Sequence, residues 1–125
     1  MPMKKLLLLP ILTLFLPGIA SAAYNDVSLS TTTDLSVNGI TLNVTGSGAT
    51  IESIAVGSTS FNITMESGSF FRVTAPDENV MQASTGEGQY VNTCNSTSSV
   101  LAYNLASGSS EVTVTISPTS VKCAA

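Results

Sequence analysis

The sequence contains no histidine and no tryptophan, and it sets only four lysines and arginines against eight aspartates and glutamates. Each shortage removes a class of function. Without histidine, the Ser-His-Asp and Cys-His arrangements that activate a hydroxyl or thiol nucleophile cannot be assembled. With two cysteines and no histidine, a zinc site lacks ligands. Lys4 and Lys5 stand at the extreme N-terminus, so the rest of the chain keeps Arg72 and Lys122 as its only basic side chains. Against them stand Asp26, Asp34, Glu52, Glu66, Asp77, Glu78, Glu87 and Glu111, which leaves that portion at −6. Such a chain has no basic patch to release counterions from a phosphate backbone, and none to hold an anionic membrane. No nucleic-acid partner is expected, and an anionic membrane surface is disfavoured.

Long apolar runs are missing as well. The longest, Leu6 to Leu16, is broken by Pro10 and Thr13. As a helix it would reach about 17 Å, against a hydrocarbon core of about 30 Å. Lys4 and Lys5 precede it. Pro17-Gly18 and the small-residue stretch Ala20-Ser21-Ala22 follow it. Positive start, short apolar core and small-residue end are the parts of a secretory signal peptide, cleaved after Ala22 or Ala23. The expected organisation is a signal peptide over 1–23 and one domain over 24–125. The other reading of this stretch is an uncleaved N-terminal anchor. No cysteine follows the run to receive a lipid, and no later segment is apolar and long enough to span a bilayer. The mature chain is therefore expected outside the cell, secreted or displayed on the surface.

What is present is serine and threonine, about a third of the residues after the leader. They supply the polar surface that lysine and glutamate supply elsewhere. A disordered low-complexity stalk could share this composition. The regular spacing of apolar residues argues for a folded domain instead, because the period is two nearly throughout, as in half-buried strands. In "TDLSVNGITLNVTG", Leu35 and Val37 alternate before Asn38-Gly39, and Ile40, Leu42 and Val44 alternate after it. Asn-Gly suits a type I′ turn, whose two central residues need positive φ. Val37 should then face Ile40, and Leu35 should face Leu42, with all five side chains on one core face. A corner within a longer meander is the alternative.

Further strands are expected at Val27–Leu29, at Thr50–Val56 with a bulge, at Phe61–Met65 and at Phe71–Ala75. Tyr90–Cys94, Val100–Leu105 and Val112–Ile116 complete the set. Glu66–Ser69, Ala75–Asn79, Thr85–Gly88 and Ser107–Ser110 read as turns or loops. The Gly-rich "TGSGAT" and "TGEGQ" carry no lysine for phosphates and also read as turns. Eight or nine short antiparallel strands in one domain suggest an all-β sandwich, with a small barrel as the second choice.

Candidate sites are few. Cys94 and Cys123 form an even count in an exported chain and read as a structural disulfide, with a free thiol pair as the alternative. Asp77, Glu78 and Asn79 offer hard oxygen ligands on a loop and are the only calcium candidate, at a spacing unlike an EF-hand. Asp77 and Glu78 are also the only adjacent carboxylates that a hydrolase could use; their ordinary reading is solvated turn residues. Phe70 points outward if Phe71 points inward, which makes it a candidate contact, or simply an isolated surface apolar residue. Tyr90 and Tyr103 read as strand residues with bonded hydroxyls. Asn43, Asn62 and Asn95 begin N-x-S/T triplets, but a chain this rich in serine and threonine produces such triplets by chance. No cofactor is expected and no catalytic set is evident.

The "VNGITLNV" hairpin, the Ser/Thr-rich composition and the segment "TCNSTSSVLAYNL…VTVTIS…VKC" together resemble small immunoglobulin-like domains of prokaryotic secreted and cell-surface proteins. That resemblance is architectural and carries no binding motif. It implies an immunoglobulin-like sandwich acting as a spacer, an adhesive module or an assembly unit. The function expected first is a non-catalytic module that binds a protein or a cell-surface polysaccharide. The alternative is a structural subunit of an extracellular fibre or coat, self-associating by strand-edge pairing, with "NDVSLSTTTDLSV" as a donated strand.

Overall fold

The computed structural model describes residues 22–84 and 88–124. The leader segment up to residue 21 and three residues of the expected Thr85–Gly88 turn lie outside the described residues. Among the described residues there are ten strands and no helix. They are β1 (Ala22–Tyr24), β2 (Val27–Ser28), β3 (Thr33–Val37), β4 (Ile40–Ile51), β5 (Ile54–Ala55), β6 (Phe61–Thr74), β7 (Asn79–Ala83), β8 (Gln89–Asn95), β9 (Ser98–Asn104) and β10 (Val112–Lys122). Eight form one open antiparallel sheet in the order β8-β9-β6-β10-β7, with β4 along the other edge of β6 and with β2 and β3 on β4. β1 and β5 make a separate two-stranded ribbon. β1 spans the expected cleavage points after Ala22 and Ala23. No helix among the described residues is long and apolar enough to cross a membrane.

The β3–β4 hairpin follows from its sequence. Asn38 and Gly39 have φ of 56° and 73°, the left-handed pair that a type I′ turn demands. Val37 faces Ile40 and Leu35 faces Leu42. Leu35, Val37, Leu42 and Val44 are buried, and Ile40 is half-buried against the same core. Asn38 Nδ2 also donates to the Pro118 carbonyl at 3.2 Å, which seats the turn on β10.

β6 is the strand that organises the sheet. Its first half, Phe61–Met65, pairs with β10, and its second half, Phe70–Thr74, pairs with β9. Both halves pair with β4 on the opposite edge. The expected reversal at Glu66–Ser69 does not occur. Between the pairs Ser47–Phe70 and Ala49–Met65, Gly48 alone stands against the four residues Glu66 to Ser69. They form a bulge in a continuing strand, closed by Ser69 Oγ donating to the Glu66 carbonyl at 2.6 Å. Ser-Gly-Ser chemistry suits a bulge as well as a turn; what keeps the chain running forward is β4, which pairs with both flanks. "TGSGAT" is likewise no turn, because it lies inside β4 on the other side of the same irregularity. The expected bulged strand Thr50–Val56 is instead the end of β4, a break at Glu52-Ser53 and the short β5, with Val56 67 % exposed.

Period-two alternation places Ile51, Phe61, Ile63, Met65, Phe71, Val73, Leu101, Tyr103, Val114 and Ile116 in one buried cluster. Tyr103 stacks on Phe71 with ring centroids 6.1 Å apart. Its buried hydroxyl has no hydrogen-bond partner among the described residues, contrary to the bonded hydroxyl expected. β7 is a strand that the sequence reading placed in no element. The disulfide Cys94–Cys123 is present, with Cα atoms 5.2 Å apart. It joins the residue after β10 to the far end of β8.

Candidate functional site

Residues that alternate with the core cover the outer face of β4, β6, β9 and β8. The register lines them up in cross-strand rows. Ser47, Phe70, Asn104 and Gln89 make one row; Thr45, Arg72, Ala102 and Val91 the next; Asn43, Thr74, Val100 and Thr93 the third. None of these twelve positions holds a carboxylate, a histidine or a cysteine. Phe70 is 45 % exposed and Val91 57 %. Arg72, Gln89 and Asn104 are exposed, and Ala102 is half-buried between them.

This face is grooved. A depression of about 560 Å³ is lined by Phe70, Phe71, Arg72, Gln89, Val91, Ala102, Tyr103 and Asn104, and most of its wall is apolar. A second, of about 190 Å³, lies between Thr32, Asn43, Thr45, Arg72 and Thr74. Arg72 borders both. Its cross-strand neighbours, Thr45 and Ala102, are uncharged. A guanidinium presents five N–H donors in a fixed fork, the amides offer both donors and acceptors, and the threonines offer hydroxyls. Asn43 is held by donating from Nδ2 to Asp34 Oδ1 at 2.6 Å. The arrangement is therefore one exposed aromatic ring over a largely apolar groove, with one fork of donors between it and a smaller threonine-lined depression. Chemically that suits binding and orientation of a ligand rich in hydroxyls and C–H faces.

The other sequence candidates lie elsewhere. Asp77 and Glu78 occupy the turn before β7, and Asn79 begins that strand and is buried. Backbone carbonyls of all three accept hydrogen bonds from the protein: Asp77 from Lys122 Nζ at 2.7 Å, Glu78 from Cys123 N at 2.8 Å, and Asn79 from Ser99 Oγ. Among the described residues no three His, Cys, Asp or Glu side chains gather where they could hold a metal ion. The segment Asn25–Val37 is seated in its own sheet: β2 and β3 pair with β4, and Leu29 N donates to the Ala49 carbonyl at 2.8 Å.

Of the grooved face, only Phe70 stands out as a contact candidate in the sequence. Arg72 and Thr74 share its parity against Phe71 and Val73, which is a readable signal. That Gln89, Val91 and Asn104 complete the same face depends on the order β6-β9-β8, which no local pattern gives.

No protein-family model matches the chain, and no curated protein and no solved structure matches it.

Proposed function

We propose that this protein is an exported, non-catalytic binding module whose grooved face takes a cell-surface polysaccharide. The observation that carries this reading is the exposed Phe70 ring beside Arg72, in a groove with a largely apolar wall that Gln89 and Asn104 edge with amides. Phe70 supplies a flat apolar surface for the C–H face of a sugar ring. Arg72, Gln89 and Asn104 supply directed hydrogen bonds that fix orientation. Export rests on the leader-like order of parts at the N-terminus.

We also read the curled sheet as an immunoglobulin-like sandwich. What supports this is the all-antiparallel pairing, together with β4 and β6, each long enough to serve two layers across the irregularity at Gly48 and Glu66–Ser69.

The test is binding of the mature protein to purified cell-surface polysaccharides, by glycan array and calorimetry. Phe70→Ala and Arg72→Ala should each weaken binding about tenfold or more, the size expected for a central aromatic or arginine contact. Val121→Ala, on β10 outside this face, should leave it unchanged. Absence of binding to any polysaccharide, or binding insensitive to both face substitutions, would overturn the reading.

A further inference from the structure

We infer that β8 is a self-association edge, at which two copies of this chain join their sheets antiparallel about a two-fold axis. β8 ends the sheet order and pairs with β9 alone, through seven consecutive register pairs without a bulge. A strand in that position presents a row of unpaired backbone donors and acceptors, and natural proteins guard such rows with lysine, proline, bulges or covering groups. β8, with the sequence Gln-Tyr-Val-Asn-Thr-Cys-Asn, has no lysine, no proline, no bulge and no charged side chain.

The other outer strands differ. On β3, the outward Ser36 N–H donates to the Tyr24 hydroxyl at 2.8 Å. On β7, the Met81 carbonyl accepts from Asn92 Nδ2 at 3.0 Å.

The occupant that fits β8 is β8 itself. Paired antiparallel with Val91 opposite Val91, the strand places Gln89 against Thr93 and Tyr90 against Asn92, so every residue keeps its own face of the sheet. The most exposed apolar side chain on the strand then meets its own copy at the centre of the contact. The absence of charge on β8 leaves no like-charge pair across the junction. The contact is isologous and closes at two chains, because each copy's β8 edge is used up by the other's. This inference does not depend on the sugar-binding reading.

The experiment is light scattering of the mature protein over a hundredfold range of concentration, with hydrogen exchange of the β8 amides at both ends of that range. The expected result is a mass rising from one chain to two and no further, with β8 amides, but not β3 amides, gaining protection at high concentration. Val91→Lys, which sets two ammonium groups opposite each other, should hold the mass at one chain throughout. Val121→Lys, an equally exposed valine on β10, should not. A wild-type mass of one chain at all concentrations, growth into polymers, or a dimer that survives Val91→Lys would overturn the proposal. If Val91→Lys fails to fold, the exchange measurement on the wild type decides: no concentration-dependent protection of β8 overturns it equally.

Discussion

Asn92 and Met81 sit on strands at opposite ends of the sheet order β8-β9-β6-β10-β7, yet Asn92 Nδ2 donates to the Met81 carbonyl at 3.0 Å. A side chain of β8 thus reaches the main chain of β7, with no backbone ladder between the two strands. The Cys94–Cys123 disulfide nearby ties the end of β8 to the residue after β10. One side-chain hydrogen bond and one covalent bond thus fasten β8 to the β7–β10 pair while the backbone edge of β8 stays unpaired.

The two ties should be coupled. Asn92→Ala alone should destabilise by about 1 kcal/mol, the ordinary net value of a hydrogen bond. Replacing both cysteines by serine should cost about 3–4 kcal/mol, from the loop the bridge closes. With the bridge gone, the end of β8 is free to fray, and Asn92→Ala should then cost less than in the parent. Urea denaturation of the four members of the cycle measures this. Strict additivity would show that the two ties act independently.

Two glycines separate sterics from backbone conformation. A Cβ on Gly46 would lie 2.5 Å from the Phe70 carbonyl oxygen and 3.0 Å from Phe71 Cα, both main-chain atoms of β6 that cannot swing aside. Gly46→Ala should destabilise by roughly 2–3 kcal/mol through overpacking. Gly39 has open space where its Cβ would be but φ of 73°. Gly39→Ala should therefore cost only about 1 kcal/mol, the left-handed penalty. Thermal denaturation ranks the pair, and equal effects would refute the close approach of β4 to β6.

Glu78 is held at φ 54°, a conformation that costs a residue with a side chain about 1 kcal/mol. Its backbone is fixed from both sides, with N donating to the Ala75 carbonyl at 3.0 Å and O accepting from Cys123 N at 2.8 Å. Glycine keeps both bonds and removes the strain. Glu78→Gly should stabilise by up to about 1 kcal/mol in chemical denaturation; a loss of stability would mean the carboxylate has a role there.

How far the chain is readable from its sequence depends on the range of the interaction. The Val37–Ile40 turn is legible because turn chemistry and hydrophobic parity agree within eight residues. Phe61, Ile63 and Met65 are legible because alternation alone assigns them to the core. Glu66–Ser69 misleads because reversal and bulge use the same residues, and only pairing with β4 decides between them. β7 is hidden by its shortness: Met81 is its one apolar residue fully in the core, and Asn79, also buried, reads as a turn residue. The grooved face follows the same logic. The outward turn of Phe70 is local, whereas its rows with Asn104 and Gln89 depend on a strand order set by distant segments.

The β8 register also fixes valency. In the paired dimer the sheet runs unbroken through the junction, and the two-fold axis stands perpendicular to it, so both grooves open on the same side. From Phe70 to its copy the path crosses five strand spacings and is offset by four residues along the strands. That places the two rings about 28 Å apart. A polymer with repeating units at that interval could engage both at once, and the second contact would form at the effective concentration set by the first. Retention on a surface would then depend on how often the ligand repeats as well as on how tightly one groove holds it.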